Sequence, residues 1–261
     1  MQTRREMITR SAAVAALLAG AGVLPASAQV AYSKAAFEGK SADEVTKALG
    51  IAKPVESKEI VITAPDIAEN GAVVPIGAST ALAGVKRIAF LVEKNPTTLA
   101  GVFDFTDAVE TSVKTRIKMG QTSSVLAVAI MADGNVLFAQ KEVKVTLGGC
   151  GGCQRRFEMS DPMRIRAQVQ GSGAVVRVLM SHEMESGQRK DAAGKTIAAW
   201  HITEVSAALN GKTVLTAQWG TAIAKNPFTE FVVKGAKAGD KVTVSWVDNR
   251  GDQRSDEAVV T

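Results

Sequence analysis

Along most of this chain apolar residues fall in short runs and period-two alternations, not at helical spacing. The pattern predicts strands over 59–63, 72–76, 87–93, 111–118, 124–131 and 136–147, then over 163–170, 174–180, 200–209, 213–219, 228–233, 241–247 and 256–260. Within 111–118, Val113, Arg116 and Lys118 are read as ladder positions with polar neighbours. Asn70-Gly71, Asn95-Pro96 and Asp133-Gly134 punctuate the first group, and Gly171-Ser172-Gly173 and Asn210-Gly211 are hairpin turns in the second. One short helix is predicted: Ser41 caps it, Glu44 completes a capping box, Val45, Ala48 and Leu49 form its apolar face, and Gly50 ends it. Two groups of six or seven short strands indicate an all-β fold of two β-sandwiches.

Between the groups the periodicity stops. Cys153 to Pro162 reads as linker. Just before it, Leu147-Gly148-Gly149-Cys150-Gly151-Gly152 follows the predicted strand 136–147. A cysteine bracketed by glycine pairs is no packed core position, because glycine costs entropy in helix and strand and has no side chain to pack. The stretch reads either as an arm that holds the Cys150 thiol out in solvent, with Gly148, Gly149, Gly151 and Gly152 as its joints, or as a glycine-rich linker that contains a cysteine. An exposed thiol on an arm suits covalent carriage of cargo between active sites.

Composition narrows the classes. Aromatic residues are only 5% of the chain, so the cores are built from Val, Ile, Leu and Ala. The net charge of +5 includes Arg4, Arg5 and Arg10 against Glu6, which leaves about +3 beyond residue 28 with no basic block to track phosphate. Nucleic-acid binding is not expected. Residues 1–28 read as a targeting peptide: Arg4-Arg5 in the n-region, a short apolar segment from Ser11 to Leu24, and Ala26-Ser27-Ala28 as cleavage site. That pattern predicts export to the periplasm by the twin-arginine route, without stable membrane association.

The residues also carry a family resemblance. Gly148-Gly149-Cys150-Gly151-Gly152 resembles the carboxy-terminal swinging arm of SoxY, the sulfur carrier of the thiosulfate-oxidising system. The second half resembles SoxZ through five blocks in order. These are Met180-Ser181-His182, Met184 to Asp191, Asn226-Pro227-Phe228, Lys237 to Lys241, and Trp246 to Gly251. Glu183 stands where the family usually has proline. The chain thus resembles a SoxY–SoxZ fusion: a signal peptide (1–28), a SoxY-like sandwich (29–147), a carrier arm and linker (148–162) and a SoxZ-like sandwich (163–261). The resemblance implies immunoglobulin-like topology, pairing of the two domains, and sulfur attached covalently at Cys150. It also implies partners that do the catalysis: a c-type cytochrome that couples sulfur to the thiol (SoxXA), a sulfate-releasing hydrolase (SoxB) and, where present, a sulfane dehydrogenase (SoxCD). The chain itself is expected to have no catalytic residues, metal or cofactor. Met159-Ser160-Asp161-Pro162-Met163 resembles the start of a separate SoxZ chain, so residues 153–158 are readable as a translated intergenic gap.

Other chemistries compete. Cys150-Gly151-Gly152-Cys153 is a C-x-x-C motif, which points to a periplasmic thiol–disulfide redox protein, yet no βαβ pattern or following helix accompanies it. His182 and His201 are too far apart in sequence for a zinc module and are expected in a loop and at a strand edge. Trp200, Trp219 and Trp246 are expected in the sandwich core.

Overall fold

The structure is a computed structural model that describes residues 32–147 and 163–261. The targeting peptide, Cys150 with its four glycines, and Cys153 lie outside the described residues.

Sixteen strands in two layers make up these residues, with two short helices before them. The larger sheet contains β1 (Val55–Glu56), β3 (Ile67–Ala68), β5 (Val85–Val92), β6 (Leu99–Phe105), β8 (Ser123–Met131), β9 (Val136–Val145), β12 (Ile202–Leu209), β13 (Lys212–Trp219), β15 (Lys241–Asp248) and β16 (Gln253–Val259). Its order is β1-β9-β8-β5-β6-β13-β12-β15-β16, with β3 added in parallel to the end of β9. The smaller sheet contains β2 (Ile60–Thr63), β4 (Val74–Thr80), β7 (Val109–Ile117), β10 (Arg164–Gln170), β11 (Gly173–Leu179) and β14 (Phe228–Lys234), in the order β10-β11-β14-β7-β4-β2.

The all-β sandwiches expected from the pattern are present, and they are joined edge to edge. β6 pairs antiparallel with β13, from Leu215↔Phe105 to Trp219↔Gly101. β7 pairs antiparallel with β14, from Thr229↔Thr115 to Val233↔Val109. Both layers therefore run unbroken from the first half into the second. Pairing at both places removes two exposed strand edges from each half. One apolar core runs under the seam, with Phe103 and Val113 from the first half beside Trp219 and Phe231 from the second. The Phe103 ring stands edge-on to Phe90 at 5.9 Å and tilted to Trp219 at 6.3 Å. On the outer face of the smaller sheet, Glu230 accepts from Lys114 Nζ and Arg177 Nε, both at 2.6 Å, and ties three strands across the seam.

Of the two helices, α1 (Lys34–Glu38) was not predicted. The second, α2 (Ala42–Ala48), has the predicted Ser41 cap, whose Oγ accepts from Glu44 N, but the Glu44 carboxylate accepts from Lys40 N, one residue before the Ser41 N–H that a capping box would use. Gly50 takes φ +65°, the left-handed stop. The two helices cover the outer face of β5, β6 and β8 through Phe37, Val45, Leu91, Leu99, Val102 and Val128. Tyr32 stacks on Phe37 at 4.9 Å. β6 is the main strand absent from the prediction, and β1 and β3 are two-residue additions. β4 starts two residues later than expected and runs to Thr80. In β7 the inward residues are Val109, Val113, Thr115 and Ile117; Arg116 lies on the opposite side from Val113, which corrects the expected ladder.

Candidate functional site: the root of the arm and the cleft beside it

The last turn of chain before the Gly-Gly-Cys-Gly-Gly stretch is stitched to the segment 66–71. Lys144 N donates to Asp66 O, Thr146 N to Ala68 O, and Gly71 N to Leu147 O at 2.9 Å. On its other side Val145 N donates to the Thr122 hydroxyl. Hydrogen bonds thus hold β9 on both sides and the chain beyond it as far as Leu147, which is 72% exposed. Cys150 is three residues further, so its reach from this root is roughly 10 Å.

Gly71 links the root to a cleft. Its carbonyl accepts from Met119 N at 2.7 Å, and Lys118 and Gly120 on either side line a cleft of about 700 Å³. The first half contributes Asn70, Lys94 to Thr97, Lys118 and Gln121; the second contributes Glu183 to Ser186, Arg189, Thr221 and Lys225. The site is therefore completed only where the two halves meet.

Lys118 crosses that boundary. Its Nζ donates to the carbonyls of Met184 and Thr221, and its backbone N donates to Ala222 O. Burial pushes its ammonium down to about 8, against the pull of Glu185 and with the repulsion of Arg189. Asn95 braces the same turn by donating to Lys118 O and accepting from Gly120 N. On the opposite wall, Glu183 pairs with Lys225 at 2.8 Å and Glu185 pairs with Arg189. Burial raises the Glu185 carboxyl, but the Arg189 hydrogen bond and charge outweigh it and hold it below the usual range.

The wall rests on a buried polar cluster. His182 is buried, not exposed in its loop, and both ring nitrogens are engaged. Nδ1 accepts from Met184 N at 3.0 Å, and Nε2 faces Asp248 Oδ2 at 3.3 Å. The Met184 amide donation places the ring proton on Nε2, which donates to Asp248. Asp248 also accepts from Trp200 Nε1 at 2.6 Å and from the backbone N–H groups of Arg250 and Asp252. Trp246 stands edge-on to His182, and the Arg250 guanidinium lies 4.6 Å from the Trp200 ring centre. His201, at the start of β12, is also buried. Trp219 and Trp246 are core residues as expected, whereas Trp200 is half-buried over this cluster. Among the described residues no three His, Cys, Asp or Glu side chains are grouped to hold a metal.

The sequence reading had Glu185 and Arg189 inside a family block but did not place Lys118, Lys94 or Gln121 at a site. The only local signal was a lysine ending an inward-alternating strand.

Comparison with known families decides the assignment. The model for sulfur oxidation protein SoxY matches residues 45–150, and the model for sulphur oxidation protein SoxZ matches residues 163–259. This chain joins a SoxY domain to a SoxZ domain. Its place is in the sulfur-oxidation system, and its seam is where the SoxY and SoxZ domains pair. The SoxY match ends at Cys150. Among solved structures, the sulfur carrier protein SoxY from Chlorobium limicola f thiosulfatophilum is 32% identical, with 40% of this chain and 94% of that chain covered and a TM-score of 0.37. A superoxide reductase (neelaredoxin) from Ignicoccus hospitalis is 21% identical over 33% of this chain and 79% of its own, with a TM-score of 0.30. No curated protein matches significantly.

Proposed function

We propose that this chain carries sulfur intermediates covalently on the Cys150 thiol and presents them to partner enzymes, contributing no catalysis of its own. The observation that carries the reading is the agreement of two facts: the SoxY match ends at Cys150, and the fold fixes β9 up to Leu147 at an exposed end. In the reading, a c-type cytochrome (SoxXA) takes two electrons as thiosulfate joins the thiol, giving a cysteine S-thiosulfonate and one proton. A hydrolase (SoxB) adds water, releasing sulfate and one proton and leaving a persulfide. A sulfane dehydrogenase (SoxCD), where the host has one, oxidises the persulfide sulfur for a second hydrolysis. The Arg4-Arg5 peptide would export the folded pair to the periplasm as one unit. The glycines 148, 149, 151 and 152 would let the thiol turn within each partner's active site.

Intact-protein and peptide mass spectrometry after growth on thiosulfate tests this. Thiosulfonate or persulfide additions are expected on the peptide containing Cys150, lost with a reductant and absent in Cys150→Ser. An unmodified Cys150 under turnover refutes the carrier reading. Cys153→Ser should retain or raise carrier activity, since Cys153 can only compete for the thiol by disulfide exchange. A loss as deep as that of Cys150→Ser would instead favour the dithiol redox protein.

A further inference from the structure

The buried cluster behind the cleft has a property that the carrier reading does not use. Met184 holds φ +49°, a left-handed conformation that a non-glycine residue adopts only under constraint. Three bonds fix it. Its N–H donates to His182 Nδ1, its thioether sulfur accepts from Ile202 N at 3.3 Å, and its carbonyl accepts from Lys118 Nζ across the seam. The first of these exists only while His182 Nδ1 has a lone pair. A proton on Nδ1 sets N–H against N–H, and the Met184 amide then has no acceptor in a site that is only 1% exposed.

We propose that the His182–Met184 turn is an acid-sensitive latch: protonation of His182 at Nδ1 frees the Met184 amide, lets the 183–186 wall of the cleft move, and loosens the tie from Lys118 to the second half. In the neutral state the wall is closed and the seam is pinned. In the acid state the imidazolium keeps its Nε2–Asp248 contact and the strained turn relaxes.

The groups facing His182 set where the latch trips. Asp248 on β15, Asp252 in the turn after it, and Glu183 beside it favour the imidazolium; burial opposes it and prevails, so the ring titrates below the ordinary histidine range. Just before β12, His201 is held neutral, first by burial and then by repulsion from His182 and from Lys118, which follows β7. The device thus stays shut at neutrality and responds only to acid. For the source of that acid the latch rests on the carrier reading, in which coupling and each hydrolysis release a proton beside the arm.

The test is a pH titration of the full chain by NMR from 7.5 to 4.5, following the His182 ring nitrogens and amide exchange at Met184 and Glu185. The expected result is one shared midpoint below 6.5 and, after correction for intrinsic exchange, at least a tenfold loss of Met184 amide protection below it. Amides of β15 should keep their protection. His182→Asn keeps an acceptor near the Nδ1 position without a titrating ring and should hold Met184 protected throughout. Glu183→Gln, on the cleft rim, should lower the midpoint if the asparagine variant does not fold. A Met184 amide that stays protected on a protonated ring, or separate midpoints, overturns the latch. Cys150→Ser should titrate like the parent chain, so loss of cargo and loss of the latch are separate results.

Discussion

Trp219 gives the sharpest test of the shared sheets. It lies on β13 at the seam and is 0% exposed. Across the seam its ring meets Phe103 at 6.3 Å between centres, and Gly101, where a Cβ would sit 3.1 Å from Trp219 Cδ1. Its indole Nε1 has no acceptor, so truncation removes packing alone. Trp→Ala in a core costs about 3–5 kcal/mol. If between half and all of that is lost from the contact between halves, association weakens by about 10- to 5,000-fold. The assay is a chain with a protease site between Gln154 and Phe157, cut after folding. The parent halves should co-elute at micromolar concentration, because two strand pairs and a common core hold them and the linker supplies only effective concentration. Cut Trp219→Ala should separate at the same concentration. Val242→Ala is the control: it is buried on β15, which β12 separates from the seam strand β13, so it should lower thermal stability and leave the dissociation constant unchanged. Parent halves that separate, or a Trp219→Ala affinity within threefold of the parent, would refute the edge-to-edge seam.

Two further outcomes follow from single positions. Gly173→Ala would put a Cβ 2.3 Å from the Val233 carbonyl oxygen, a backbone atom that cannot swing away; it should cost about 1–3 kcal/mol in denaturant unfolding, and no loss would mean that β11 and β14 are spaced differently. His201 is pushed down to about 4, first by burial and then by repulsion from His182 and Lys118. The fold therefore holds it neutral while the unfolded chain takes its proton near 6.5, so its stability contribution is present above 6.5 and is lost as pH falls toward 4, by up to about 3 kcal/mol. The difference in urea midpoint between parent and His201→Gln should narrow over that window, and a gap independent of pH would contradict this.

Much of the architecture was legible because most strands have one face on the core and one in solvent. β15 alternates buried and half-buried residues without a break, and that is what a period-two reading detects. β6 escaped for the opposite reason. Leu99 to Phe103 are all buried: one face meets the core and the other is roofed by α1 and α2, so no alternation survives. Gly101 within it leaves room for the Trp219 ring, whose Cδ1 would stand 3.1 Å from an added Cβ. α1 is only five residues long, too short to display a helical period. The arm motif was the plainest feature of the sequence. The cleft was not, because Lys118 and Glu185 are 67 positions apart and nothing local marks a lysine that will be buried against another domain.

If Cys150 carries cargo as proposed, the same seam bears on how an arm in mid-chain would keep its reach. The linker leaves β9 and returns to β10. β9 packs against β2, at one end of the smaller sheet, and β10 is at the other end. Five inter-strand spacings separate β2 from β10, roughly 24 Å at about 4.8 Å each. The sixteen steps from Leu147 to Met163 extend to roughly 55 Å. The connection is thus about twice as long as the lateral gap that it crosses. Cys150 lies three residues from the β9 root and thirteen from Met163, and the longer limb spans roughly 45 Å. For a carrier of this kind the short limb would therefore set the reach of the thiol, as it would if the chain ended after the arm. What the fusion would change is the cross-section of such an arm, because an active-site channel would have to admit a doubled strand in place of a chain end. The domains pair directly through β6–β13 and β7–β14, so pairing is expected to survive a cut in the linker. A cut chain and an intact chain should consequently differ with partners that enclose the arm in a narrow channel, and agree with those that receive the thiol at an open surface.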